Sequence, residues 1–202
     1  MGALRATDDH REPLRRVQRS AFALVVGVVL SGPAGLLLVA WVHPQPAWQG
    51  PARFAAELDR VQILPYVAGL LLIAACVALV CNLVVLAPEE RKARAYGALV
   101  ATATFSAIIL FNYILQATFV PSLARAYQPE NDALISALTM ANPGSLAWAL
   151  EMWGYGALGV ATWAIAFVFD TTGLEGALWN LLMIAMGVTT ILAMRARSAS
   201  TL

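Results

Sequence analysis

Apolar residues gather in five long blocks, and charged residues collect between them. The blocks run over about 20–42, 61–86, 95–120, 145–169 and 173–194. Each is long enough for a helix to cross a bilayer core, which takes about 20 residues. Apolar residues lie on all sides of each block, whereas barrel strands show about ten residues of alternating polarity. The pattern predicts an all-α, polytopic transmembrane helix bundle of five spans with short loops. Residues 1–19 read as a cytoplasmic polar tail, 20–194 as a single transmembrane domain and 195–202 as a C-terminal tail. The first block is too long for a signal-peptide core of about 7–15 residues, so it reads as a retained anchor.

Basic residues set the orientation. The tail carries Arg5, Arg11, Arg15, Arg16 and Arg19, and the 87–94 loop carries Arg91, Lys92 and Arg94. The 43–60 loop has Arg53 and Arg60, the 121–144 loop Arg125 alone, and the C-terminal tail Arg195 and Arg197. The richer side is cytoplasmic, which puts the N-terminus inside. Five spans then leave the C-terminus outside, against its two arginines. A sixth crossing over 133–150, also free of charge, would return it to the inside. Asn142-Pro143-Gly144 opposes that crossing, because the tripeptide signals a turn. The expectation is instead an amphipathic extracytoplasmic helix at about 130–141, with Leu134, Ile135 and Leu138 toward lipid or bundle. The 43–60 loop opens on a Pro-rich turn and continues into a short lead-in, Phe54 to Arg60.

Composition agrees with the pattern. Of 202 residues, 60% are hydrophobic and 12% charged. A soluble domain carries about 25% charged residues, so too little polar surface is present to coat one. The lipid bilayer is the expected partner. A net charge of +1 supplies no basic face for nucleic acid. Only one of the thirteen basic residues is Lys. With the abundant Ala this points to a GC-rich bacterial genome, and so to a bacterial inner membrane. Cys76 and Cys81 stand five apart in one block, on different helix faces, and read as packing residues.

One acidic residue, Glu151, sits inside a block; the other acids lie in tails, in loops or near block ends. At about 1.5 Å per residue it lies roughly 9 Å below the outer boundary, between Gln116 at about 6 Å and Asn112 at about 12 Å. Asn112 and Gln116 are four apart and share one helix face. The short connection makes the third and fourth spans neighbours. Asn112, Gln116 and Glu151 therefore read as one outer-leaflet polar cluster, with Tyr113 or Tyr155 at its edge. Three roles stay open for Glu151: a solute, cation or proton site, interhelical glue, or a side chain snorkelling to the interface. Asn82 and Asn180 read as an inner polar pair, with glue as the favoured role. Gly27, Ser31 and Gly35 repeat at a spacing that suits close helix contact.

His10 and His43 are isolated, and no metal-ligand spacing appears. HExxH, GxSxG, Walker and Rossmann signatures are all missing. No catalytic residue, metal or cofactor is expected, and the chain reads as no enzyme. "FNYILQATFVPSLA", "NPGSLAWALEMWGYGALG" and "VFDTTGLEGALWN" resemble stretches of uncharacterised small bacterial multi-spanning membrane proteins. That resemblance covers roughly the C-terminal half and implies membrane residence alone. The expected function is a multi-pass membrane protein that binds or passes a small solute, cation or proton at the cluster. The alternative is a non-catalytic accessory or structural subunit, held by another membrane protein or by a second copy of itself.

Overall fold

The first apolar block breaks at Gly32-Pro33. Helix α1 (Gly2–Ser31) takes in the polar tail, and α2 (Pro33–Val42) begins with proline at its first position. Proline lacks an N–H and its ring clashes with the carbonyl four residues back, so it starts a helix better than it continues one. The computed structural model describes residues 2–45 and 47–169. Six further α-helices follow: α3 (Pro51–Glu57), α4 (Leu64–Leu86), α5 (Lys92–Ile114), α6 (Val120–Arg125), α7 (Asp132–Leu138) and α8 (Leu146–Ala166). No strand occurs among the described residues.

Among the described residues, three helical stretches are long and apolar enough to cross a membrane: Glu12–Val42, Arg60–Leu86 and Glu89–Arg125. They make this a membrane protein, but with fewer qualifying spans than the five expected. The expected fourth span forms α8, which has 21 residues. It is long enough, yet Glu151, Trp148, Trp153, Trp163 and its glycines dilute its apolar character, and it is not among the three. The expected fifth span, 173–194, and with it Asn180 and the C-terminal tail, lies outside the described residues. The charge-free stretch 133–150 is not one helix. It is divided among α7, a turn through Asn142 and Pro143, and the start of α8. Asn142 builds that turn by accepting from Gly144 N–H (3.0 Å) and donating to Ser136 O (2.7 Å).

The chain divides into two compact units. One draws its described residues from 2–21, 76–106 and 152–169. Val80, Val84, Ala87, Ala95 and Val168 form its core, with Leu99, Ile165 and Phe169 against them. Arg91 and Arg94 donate to the carbonyls of Val168 (3.3 Å) and Phe167 (3.4 Å). They meet the chain just past α8, where helix carbonyls run out of partners and a cation is favoured. Asn82 donates to Ser20 Oγ at 3.3 Å and to Arg16 O at 3.4 Å.

The second unit holds 22–75 and 107–151. Here α1 and α4 approach to backbone contact: a methyl built on Gly27 would stand 2.7 Å from Leu72 Cα. At one end α3, α6 and α7 form a cap around Phe54, Val120, Ala124 and Ile135. Of the three apolar residues expected on the 130–141 helix, Ile135 is fully buried and Leu134 is exposed. The polarity of this unit is reversed from that of a soluble protein. Phe22, Leu37 and Trp41 lie open at its surface, while Gln62, Asn112, Gln116, Thr139 and Glu151 are buried. In lipid an apolar exterior carries no penalty, and buried polar groups hold helices together.

Between α5 and α6 the helix widens into a π turn, Leu115–Phe119, closed by Val120 N–H on Leu115 O. Pro121 follows at once. Its ring would press on the carbonyl of Ala117 in a continuous α-helix, and the wider turn relieves that contact. The turn also places Gln116 in the interior, 5% exposed.

Candidate functional site

Four side chains from three elements meet in the second unit. Helix α5 carries Asn112 and Tyr113, the π turn carries Gln116, and the second turn of α8 carries Glu151. Asn112 is fully buried and Glu151 is 7% exposed. Asn112 Nδ2 donates to Glu151 Oε2 at 3.0 Å, and the Tyr113 hydroxyl donates to Glu151 Oε1 at 3.0 Å. Glu151 therefore points inward and is no snorkelling side chain.

Backbone groups fix which way both amides face. Met140 N–H can only donate, and it donates to Gln116 Oε1 at 3.0 Å. Gln116 Nε2 then faces Leu138 O (2.7 Å) and Asn112 Oδ1 (3.5 Å). Ala147 O can only accept, and it takes a hydrogen from Asn112 Nδ2 at 3.1 Å. The second Asn112 hydrogen goes to Glu151. Asn112 is thus locked as a donor toward the carboxylate, whereas the Tyr113 hydroxyl can turn and either donate or accept.

Tyr113 is itself held in place. Its ring packs edge-on against Tyr66, with centroids 5.5 Å apart. On the neighbouring helix Gly69 leaves the space it occupies: a Cβ there would fall 2.2 Å from Tyr113 Cε2. Sequence reasoning missed Gly69 and Tyr66, and the backbone groups of Leu138, Met140 and Ala147. "YVAG" in α4 carries the signal for the first two, an aromatic and a small residue on one apolar helix.

The network uses its own space. A cavity of about 20 Å³ lies beside Gln116 and is bounded by Gln62, Tyr66 and Thr139. That is room for about one water. Among the described residues no Lys, Arg or His forms an ion pair with Glu151. Nor does any group of three His, Cys, Asp or Glu side chains there stand close enough to hold a metal ion.

The other residues singled out from the sequence lie elsewhere. Tyr155 belongs to the first unit, where its ring packs edge-on against Phe105 with centroids 5.7 Å apart. Asn82 binds Ser20 in that unit, and Asn180 is outside the described residues. No family model, curated protein or solved structure matches this chain.

Proposed function

We propose that this is a multi-pass protein of a bacterial inner membrane that takes up and releases a proton at Glu151. In this reading the N-terminus is cytoplasmic, α8 is a crossing, the residues from 173 onward supply another, and the cluster lies in the outer half of the bilayer. One observation carries it: a buried carboxylate has two hydrogen-bond donors and no ion-pair partner among the described residues. A charged carboxylate in hydrocarbon is costly, about 2.5–3.5 kcal/mol at a helix centre on insertion scales. Binding a proton relieves that cost. The proton belongs on Oε1, because the Tyr113 hydroxyl can turn to accept from it, while Asn112 is held as a donor. The cavity beside Gln116 has room for about one water, which favours the proton over a bulkier solute or a hydrated cation among the ligands considered from sequence. The reading assigns no catalytic step.

Proton counting tests it. Titrated in detergent, the wild-type protein should release one proton more than Glu151→Gln over the carboxylate range. Equal release from both would end the proposal.

A second reading is supported by the Gln116 contacts. This side chain fastens the end of α7 and the following turn to the helix that carries Asn112. A subunit that only packs against a partner needs such a staple and no titrating group. Native mass spectrometry from mild detergent separates the two. A tightly retained protein partner, together with equal proton release, favours the accessory subunit.

A further inference from the structure

Arg15 and Arg19, one turn apart on α1, are exposed and make no hydrogen bond or ion pair among the described residues. We propose that they form a site for the headgroup of an acidic phospholipid of the cytoplasmic leaflet. The inference uses the cytoplasmic N-terminus of the reading above but not its proton. Four other cations of the first unit are engaged. Arg16 holds Glu12, and Lys92 holds Glu89. Arg91 and Arg94 donate to the carbonyls of Val168 and Phe167. Arg15 and Arg19 act on Glu12 only through their charge, and its carboxylate is already bonded to Arg16.

Ser20 fixes the rotation of α1. It is buried, and its Oγ accepts from Asn82 Nδ2 of α4 at 3.3 Å. With 3.6 residues per turn, Arg19 lies about 100° round the helix from Ser20 and Arg15 about 140°. Both therefore turn away from α4 and share one face of α1. Depth follows from the same bond. Asn82 stands four residues before the end of α4, about 6 Å at 1.5 Å per residue. Those four are Leu83, Val84, Val85 and Leu86, and Val85 is 69% exposed. Arg19, next to Ser20, thus leaves its helix at a level where α4 is still apolar, and Arg15 about 6 Å nearer the cytoplasm. A guanidinium that starts at this depth snorkels to the interface, and the anion it meets there is a lipid phosphate. Guanidinium takes phosphate through paired N–H donors. Two arginines on one phosphodiester leave positive charge over, which the amine of a zwitterionic headgroup opposes. A headgroup without an amine is selected. A free anion would have to leave water to reach Arg19, whereas a lipid phosphate is already held at that level.

Phenylglyoxal is uncharged and modifies guanidinium groups that are not engaged, so it reads the site in the full wild-type chain. Arg15 and Arg19 should react several-fold more slowly in nanodiscs of phosphatidylglycerol than in nanodiscs of phosphatidylcholine. Arg125, exposed in α6, should change little. Inorganic phosphate added to the phosphatidylcholine nanodiscs should give no protection. Native mass spectrometry from mild detergent then reads the affinity. Arg15→Gln and Arg19→Gln should each weaken retention of phosphatidylglycerol about fivefold, the loss expected for one arginine at an anionic surface. Arg53→Gln in α3, where the arginine is paired with Glu57, should leave retention unchanged. Equal reactivity in the two lipids, equal protection by inorganic phosphate, or retention unmoved by both glutamine variants overturns the site. The labelling needs no variant, so a folding failure of either one leaves it decisive. None of these measurements reads Glu151: equal proton release from the wild type and Glu151→Gln would end the proton reading and leave the lipid site standing.

Discussion

Tyr113 occupies the space that a side chain at residue 69 would need. A Cβ on Gly69 would fall 2.2 Å from Tyr113 Cε2 and 2.5 Å from Cδ2. The ring cannot simply swing away, because Tyr66 packs on it and its hydroxyl is bonded to Glu151. Gly69→Ala should therefore destabilise the protein by about 1–3 kcal/mol, the usual cost of overpacking. The better helix propensity of alanine, about 1 kcal/mol, opposes this and does not offset it. Gly97→Ala is the control. Nothing stands within 4 Å of a Cβ there, so the same change should be neutral or stabilising. Chemical unfolding in detergent micelles measures both, and a stabilising Gly69→Ala would contradict the packing described.

Gln116→Leu should loosen the turn after α7. It leaves Met140 N–H and Leu138 O without their side-chain partner in a buried setting, at about 1–3 kcal/mol for an unsatisfied group. Hydrogen exchange of the peptide covering 138–145 should quicken, while exchange in 98–105 should not. Unchanged exchange at Met140 would show that Gln116 is no staple.

Tyr127 offers a pH signature outside the membrane segments. Its hydroxyl donates to Asp132 Oδ1 at 2.9 Å, and this bond, with burial and the Asp132 charge after it, raises the tyrosine pKa above its ordinary value. A raised pKa means the neutral form is favoured in the folded cap. The contribution is fully present below the ordinary tyrosine value of about 10 and is lost as pH rises through the higher folded value. Phenolate absorbance should show one tyrosine ionising earlier in Asp132→Asn than in the wild type. An identical alkaline titration would remove Asp132 as the cause.

Much of this fold is written in the chain. Proline after glycine marks the break between α1 and α2, and Asn142-Pro143-Gly144 marks the turn that divides 133–150. Counting along helices at about 1.5 Å per residue sets Asn112, Gln116 and Glu151 at similar depth, and the three share one hydrogen-bonded network. Other features depend on contacts between distant residues. The π turn needs Pro121 placed against a helix that must continue past it. The need for glycine at 69 appears only once the Tyr113 ring lies against it. The locking of both amides comes from backbone groups at 138, 140 and 147, which carry no side-chain signature. Length alone does not make α8 one of the three qualifying stretches. Its apolar character falls short because it carries the acid and the residues around it.

Tyr113→Phe should keep the fold and change the acid. The ring and its packing on Tyr66 remain, and only the hydroxyl is lost. Thermal stability in detergent should fall by about 0.6 kcal/mol, the mean for an interhelical hydrogen bond. Loss of folded protein would show that the hydroxyl is structural beyond its bond to Glu151.

In the proposed reading Glu151 carries a proton on Oε1, facing Tyr113. Infrared difference spectra across a pH change, with the glutamates isotopically labelled, measure this most directly. The account predicts a protonated-carboxyl C=O band that is sensitive to the glutamate label, disappears in Glu151→Gln and shifts to higher frequency in Tyr113→Phe as the carboxyl loses a hydrogen-bond partner. A wild-type spectrum with no carboxyl band that Glu151→Gln removes would contradict it.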